Sequence, residues 1–334
     1  MRCLITGASG FVGNHLSTLL LAAGHEVFGA CWPELPVDRS TRVELQLCNL
    51  MDPEVALELV RKAQPEWVFH LAGMSSPIDS LSSPRPVYEI NFFGALNLLE
   101  AVQKVSPQAR ILLIGSVQCY GSPKPGDLPL TESFPFSPRT PYAVSKAAAD
   151  LLGFQFFVTY RLPVIRVRPA NHTGPGQPAS FVCSDFARQI AAIELGAVPA
   201  ELHVGNLDLR RDFCDVRDVV RAYAALAEKG VPGEAYNVSS GGAVSLKIIA
   251  DTLISFSSRR IQVVRDPHRT RANDVKEEYA SITKVVSHTG WSPQYDLTTT
   301  LRDLYEYWIS ALKSEQTAAR ATQRCRERLP RATN

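Results

Sequence analysis

Residues 3–13 read Cys3-Leu4-Ile5-Thr6-Gly7-Ala8-Ser9-Gly10-Phe11-Val12-Gly13, an apolar strand running straight into a turn built on three glycines. Beyond it, Val12, Leu16, Leu19, Leu20 and Ala23 recur at helical spacing and keep one apolar face. Gly7 and Gly10 allow a tight turn and close approach of the backbone to a pyrophosphate, and Gly13 lets the helix pack close to the sheet. The helix N-terminus adds unpaired N–H groups and partial positive charge. Strand, glycine turn and helix in this order point to a dinucleotide site.

The alternation continues along the first half: Val27 and Phe28, Val43 to Leu47, a helix from Pro53 to Lys62, then Trp67 to Leu71. A helix around Val87 to Val105, Ile111 to Ile114, a helix from Pro141 to about Val158, and Val164 to Val167 follow. Strands that read as continuous apolar runs belong to a parallel sheet covered on both faces. The expected fold is therefore α/β, a doubly wound parallel sheet of Rossmann type with a smaller α/β substrate-binding portion. Residues 1–168 are expected to form the NAD(P)-binding domain, with 215–235 interleaved, and residues 169–312 the substrate-binding part. Helices are expected near Phe181 to Leu195, Val216 to Glu228 and Thr298 to Leu312. Residues 313–334 carry six basic and two acidic residues and few apolar ones, which predicts a frayed, solvated tail.

A chain of 334 residues, 45% hydrophobic and 20% charged, can bury a substantial core, and none of its apolar runs reaches the ~20 residues of a membrane span. Its net charge of +2 is too balanced for the single-sign field that gathers on nucleic acid, so a small ligand is expected rather than nucleic acid or membrane. Seven scattered cysteines, odd in number and without a CxxC, suggest neither a disulfide framework nor a metal site. Met1 leads directly into a strand without a basic leader, so a cytoplasmic location is expected.

Thr140-Pro141-Tyr142-Ala143-Val144-Ser145-Lys146 opens a helix with a capping hydroxyl and a proline in the first turn. Tyr142 and Lys146 then share a face. A phenol of ordinary pKa ~10 exchanges protons poorly near neutrality unless a neighbouring ammonium and a cationic nicotinamide favour its phenolate. Tyr-x-x-x-Lys supplies the ammonium.

The GxxGxxG spacing, His70-Leu71-Ala72-Gly73, Asn91 with Gly94, Ser116-Val117-Gln118-Cys119-Tyr120-Gly121 and the Tyr142/Lys146 pair together resemble the extended short-chain dehydrogenase/reductase family. Arg168-Pro169-Ala170-Asn171-His172-Thr173-Gly174-Pro175-Gly176-Gln177 and Gly205-Asn206-Leu207-Asp208-Leu209-Arg210-Arg211-Asp212-Phe213 are similar to segments of its sugar-nucleotide branch, the second to enzymes acting on GDP-linked hexoses. Tyr236-Asn237-Val238-Ser239-Ser240-Gly241, Arg269 to Asp274 and Gly290-Trp291-Ser292-Pro293 extend the likeness, which covers about residues 1 to 312.

The resemblance implies a catalytic triad of Ser116, Tyr142 and Lys146. It implies cofactor contacts from Gly7, Gly10, Phe11, Val12, Gly13, Asn49, Leu50, Leu71, Ala72, Gly73 and Asn91, joined by Tyr142 and Lys146. It also implies substrate contacts from Gln118, Asn171, Phe181, Val182, Arg211 and Arg271, the two arginines on a diphosphate, for which guanidinium geometry is suited. The second strand ends in Ala30, Cys31 and Trp32, without the carboxylate that receives a ribose 2′-hydroxyl. NADP is therefore expected and NAD stays open, with Arg39 and Arg42 the nearest cations for a 2′-phosphate.

Dehydratases similar to this chain place at position 118 a Glu that removes the C5 proton, and related epimerase-reductases place a Cys there. Here the residue is Gln118, and the cysteine is displaced to Cys119. An amide cannot serve as that base. His172 reads as a loop hydrogen-bonder, and Ala170 and Asn49 depart from the aromatic and the Asp that are usual at their positions.

The expected activity is reduction of the 4-keto group of a nucleotide-linked 4-keto-6-deoxyhexose, chiefly GDP-4-keto-6-deoxy-D-mannose to GDP-D-rhamnose. A GDP-mannose 4,6-dehydratase, a nucleotide-sugar 4-epimerase and a non-enzymatic dinucleotide-binding regulator are the alternatives. Surplus apolar residues such as Leu151, Leu152, Phe154, Phe156 and Phe157, in helices that related enzymes pair, predict a homodimer.

Overall fold

The computed structural model describes residues 1–33, 43–77, 79–269 and 275–327, with side chains in the last helix through Thr317. It divides into two compact units, Met1–His172 with Arg210–Ala243 and Val275–Tyr295, and Thr173–Leu209 with Val244–Asp274 and the chain from Asp296.

The first unit contains β1 (Arg2–Thr6), α1 (Phe11–Ala22), β2 (Glu26–Cys31), β3 (Glu44–Leu47), α2 (Pro53–Ala63), β4 (Trp67–His70), α3 (Asp79–Ser82), α4 (Pro84–Tyr88) and α5 (Gly94–Val105). It continues with β5 (Arg110–Ile114), α6 (Pro141–Tyr160), β6 (Val164–Pro169) and β7 (Asn171–Thr173), the last ending at the boundary residue of the second unit. After the first excursion into the second unit come β9 (Arg210–Arg211), β10 (Phe213–Asp215), α8 (Val216–Lys229) and β11 (Ala235–Val238), and after the second come β14 (Glu277–Glu278) and α10 (Thr283–Thr289). The second unit holds α7 (Val182–Glu194), β8 (Glu201–Val204), β12 (Val244–Ser245), α9 (Leu246–Ile254), β13 (Gln262–Arg265) and α11 (Leu297–Glu327).

Seven strands form one sheet in the order β11-β6-β5-β4-β1-β2-β3, every neighbouring pair parallel. Alternate residues of each strand face opposite sides, and here both sides are covered. Ile5, Phe69, Leu112 and Ile165 face a core shared with α1 and α8, while Leu4, Val68, Ile111 and Val164 face one shared with α2, α5 and α6. This is why the strands read as unbroken apolar runs.

The interleaving goes beyond the expected 215–235. β11 must return to complete the sheet beside β6, and 275–295 returns as well, packing α10 on α8 and β11. The expected single helix over Val87 to Val105 is broken into α4, a π-helical turn at Glu89–Phe93 and α5. The wider turn contains Asn91, a buried amide whose bonds lie outside the helix. In place of a frayed tail from 313, α11 continues to Glu327.

Candidate active site

The glycine turn is fixed by contacts that exclude side chains. Gly7 and Ala8 donate backbone N–H bonds to the Ala30 carbonyl at 2.8 and 3.1 Å. Gly7 has φ +73°, and a Cβ there would stand 2.9 Å from the Ala72 nitrogen. A Cβ on Gly13 would stand 2.2 Å from the Gly7 carbonyl oxygen. The turn is thus pressed against Leu71 and Ala72, with Phe11 and Val12 opening α1. Gly10 caps α1 without a side-chain bond and no acid occupies the first turn, whereas Asp52, Thr140 and Asp215 close α2, α6 and α8 with their own oxygens. A tight glycine cradle at an uncapped helix N-terminus fits the pyrophosphate of a dinucleotide.

The expected flanking contacts divide. Asn49 turns its side-chain oxygen to the Met51 N–H at 3.1 Å, and the Leu50 carbonyl accepts from Asn97 at 2.8 Å, so both shape the end of β3. Asn91 accepts from the Met74 N–H at 2.8 Å and donates to the Met74 carbonyl at 3.1 Å and to Ser145 Oγ at 2.9 Å, tying the segment after β4 to α6. Gly73 lies between: a Cβ there would sit 2.7 Å from Asn91 Oδ1 and 3.7 Å from Lys146 Nζ. His70, at the end of β4, shares a 2.8 Å bond with Thr6 and is buried, which pushes its pKa down to about 3 and keeps it neutral.

Ser116 follows β5 and caps a short 3₁₀ turn, its Oγ accepting from the Gln118 N–H at 3.2 Å. Thr140 accepts from the Ala143 N–H at 3.1 Å and Pro141 fills the first turn, so α6 starts as its sequence predicts. That start brings the Tyr142 phenol near the Ser116 hydroxyl. Burial pushes the Tyr142 phenol up to about 12, the nearby Ser116 hydroxyl opposing it more weakly. Lys146 Nζ donates to the Ile114 carbonyl at 2.8 Å, and burial brings its pKa down to about 8. Lys146 is not among the groups that shift the phenol; burial dominates and keeps Tyr142 protonated.

A network that motif reading did not single out sets the position of α6. Asp150, one turn beyond Lys146, accepts from Arg168 Nε at 2.8 Å and Nη2 at 2.9 Å, and from Arg166 Nη1 at 2.8 Å. Arg168 also donates to Tyr120 Oη and the Glu132 carbonyl, both at 2.9 Å, and its guanidinium lies 4.6 Å from the Phe136 ring centroid. Tyr120 in turn donates to Asn237 at 2.8 Å. Breaking one partner of such a buried pair typically costs about 3–5 kcal/mol, because the remaining charge is stranded. The sequence carries a faint signal for it: Asp150 is an acid four residues beyond Lys146, on the face of α6 that points inward.

Gln118 is half-buried, whereas Cys119 turns into the cluster around Tyr120, Leu130 and Ala147. Burial there pushes the Cys119 thiol up to about 12, which leaves it a poor proton exchanger. His172 shares a 3.0 Å bond with the Ala170 carbonyl and stacks on Phe11 at 6.2 Å between ring centroids, burial lowering its pKa. Asn171 donates to the Asp212 carbonyl at 3.2 Å, and half-buried Arg211 donates to the Arg210 carbonyl at 2.8 Å. Phe181 and Val182 stand at the start of α7 in the second unit. Arg271, Arg39 and Arg42 lie outside the described residues. Among the described residues no group of His, Cys, Asp and Glu is arranged to hold a metal, and no helix is long and apolar enough to cross a membrane.

The family model described as GDP-mannose 4,6 dehydratase matches residues 4–304. The chain belongs to that family, within the extended short-chain dehydrogenases/reductases. A GDP-6-deoxy-D-mannose reductase of Pseudomonas aeruginosa is 36% identical over 94% of this chain and 99% of its own length. A GDP-mannose 4,6-dehydratase of Yersinia enterocolitica is 27% identical over 85% of this chain and 80% of its own. The solved structure of RMD from Pseudomonas aeruginosa complexed with NADPH superposes with a TM-score of 0.82 at 34% identity, covering 93% of this chain and 100% of that one.

Proposed function

We propose that this protein reduces the 4-keto group of GDP-4-keto-6-deoxy-D-mannose to give GDP-D-rhamnose, with NADPH as reductant. The observation that carries the reading is the pair Ser116 and Tyr142: a buried phenol, kept protonated by burial, near a serine hydroxyl and beside an amide at position 118. The 36%-identical reductase and the NADPH-bound structure support it.

Gly7, Gly10, Phe11, Val12 and Gly13 would hold the pyrophosphate, with Asn49 and Leu50 on the adenosine side, and Leu71, Ala72, Gly73, Asn91 and Lys146 along the nicotinamide ribose. When bound, the reduced nicotinamide supplies a hydride to C4 of the sugar. Ser116 holds the carbonyl oxygen by a hydrogen bond that strengthens as charge develops there, and Tyr142 delivers its proton to the same oxygen. Lys146 stands on the same face of α6, one turn on, placed to orient the ribose and to stabilise the phenolate left behind. Asn171, Phe181, Val182, Arg211 and Arg271 are assigned to the sugar nucleotide, the two arginines to its diphosphate. Gln118 is an amide and cannot take the proton from C5, which disfavours elimination.

Two further features belong to this reading. Tyr88, Ile90, Phe93, Val144, Leu151, Phe154, Val158 and Tyr160 are exposed large apolar residues of α4, the π-helical turn and α6. We assign this face to a homodimer, and a concentration-independent monomer mass in solution would refute the assignment. The six described cysteines are free thiols, in keeping with a reducing cytoplasm.

The substrate assignment is tested by following NADPH loss with GDP-, UDP- and dTDP-linked 4-keto-6-deoxy sugars. The GDP-linked compound is expected to give the highest kcat/KM, and equal or better use of the UDP or dTDP compounds would overturn it.

A further inference from the structure

Arg168, on β6, is bonded to both of the segments that carry Ser116 and Tyr142. It is only 4% exposed, and its bonds divide between two directions. Nε and Nη2 donate to the two carboxylate oxygens of Asp150 on α6, at 2.8 and 2.9 Å. Nη1 donates to Tyr120 Oη and to the Glu132 carbonyl, both at 2.9 Å. A planar guanidinium can do this because its donors leave along fixed, diverging directions. The rings of Phe136 and Tyr120, 4.6 and 5.4 Å away, confine it.

Each direction leads to a reacting group by a short path. Asp150 lies on the same helix as Tyr142, one turn beyond Lys146. Tyr120 is the last residue of the 3₁₀ turn Val117–Tyr120, which Ser116 caps. Between the two paths stands Gly115. A Cβ on it would be 3.1 Å from the Val167 carbonyl oxygen, 3.8 Å from Arg168 Cγ and 3.9 Å from Asp150 Oδ2, so the ion pair packs against the residue that precedes Ser116. The Gly115 N–H also donates to the Val167 carbonyl at 2.7 Å. The Ser116 turn and α6 are therefore both set from the same two residues of β6. The other tie between them, Lys146 to the Ile114 carbonyl, is a single bond from a flexible stem; the charge-assisted fork on Asp150 is stronger and fixes direction as well as distance.

We propose that Arg168 is a positioning residue for proton delivery: by holding Asp150 on α6 and Tyr120 on the Ser116 turn, it sets where Tyr142 and Ser116 meet the C4 oxygen of the substrate. The proposal rests on the assignment of Ser116 and Tyr142 to that oxygen. Arg168 acts only through the groups that enclose it, so its effect falls on turnover rather than on binding.

The test uses two variants. Arg168→Lys keeps a cation beside Asp150, which Arg166 Nη1 also reaches at 2.8 Å, but an ammonium cannot span both segments. Tyr120→Phe removes one oxygen and leaves the ion pair intact. Turnover is measured with saturating NADPH and GDP-4-keto-6-deoxy-D-mannose, per NADPH-binding site counted by fluorescence titration, so that unfolded protein does not enter. A displacement of about 1 Å at a reacting centre costs up to about 10²-fold. The kcat of Arg168→Lys is accordingly expected to fall about 10- to 100-fold, and that of Tyr120→Phe, which loses neutral hydrogen bonds, about 3- to 10-fold. The KM of the keto-sugar should stay within about threefold of the wild type. Each variant is then combined with Tyr142→Phe. With no phenol left to position, the added loss should be no more than about threefold. The same fold-loss in both backgrounds would make Arg168 a general structural residue and overturn the proposal, as would wild-type turnover in Arg168→Lys. Should Arg168→Lys not fold, Tyr120→Phe carries the same comparison. If Tyr142→Phe alone turns over as the wild type does, the assignment of Tyr142 falls and this proposal with it; if it turns over slowly while Arg168→Lys and Tyr120→Phe behave as wild type, only the role of Arg168 falls.

Discussion

Tyr142→Phe is expected to lower turnover by about 10²- to 10⁴-fold, the range that a positioned general acid supplies, while NADPH binding changes little. The substitution removes one oxygen from a buried ring on the first turn of α6, and Thr140 and Pro141 fix that turn independently of the phenol. What is lost is the proton held next to Ser116. Water has no easy substitute role, because Tyr142 is only 9% exposed. The measurement is kcat with saturating NADPH and keto-sugar, set beside the dissociation constant of NADPH from its fluorescence. Turnover comparable to the wild type would remove Tyr142 from the chemistry. A parallel collapse of cofactor affinity would instead give it a binding role.

The first half of the fold was legible because its physics is local. Cys3 to Thr6 is apolar and short, Gly7 to Gly13 must turn, and Thr140-Pro141 can hardly do other than begin a helix; these segments dictate their own conformation, and parallel pairing follows from burial on both faces. Ser116 and Tyr142 lie near each other because of where β5 ends and α6 begins. The excursions of the chain were less legible. That 275–295 rejoins the first unit depends on packing α10 against α8 and β11, a long-range fact with no local mark. Asn91 stands out as a motif residue, but its widened helical turn goes with bonds to Met74 and Ser145, distant in sequence.

Charged residues in the interior were the hardest to read. Asp150, Arg166 and Arg168 look like ordinary surface charges until α6 and β6 pack and enclose them. Glu278 follows Glu277 in a stretch of mixed charge, and only the register of β14 with β9 sends one inward and leaves the other beside Arg210 in water. The expected influence of Lys146 on Tyr142 was likewise an argument from spacing. Burial controls the phenol, and the ammonium spends a hydrogen bond on the Ile114 carbonyl.

The division between reductase and lyase turns on Gln118. A dehydratase must remove the C5 proton so that water can leave from C6, and it regenerates its cofactor within each turnover. Neither the Gln118 amide nor the Cys119 thiol, buried and raised to about 12, can supply a base at neutral pH. The most direct test gives the wild-type protein GDP-mannose without added NADPH, and separately GDP-4-keto-6-deoxy-D-mannose with NADPH, and analyses the nucleotide sugars. The predicted result is no 4-keto-6-deoxy product from GDP-mannose, and one NADPH consumed for each keto-sugar reduced. Steady formation of the keto-sugar from GDP-mannose without reductant would contradict the account, because another residue would then be serving as base and the protein would be a lyase.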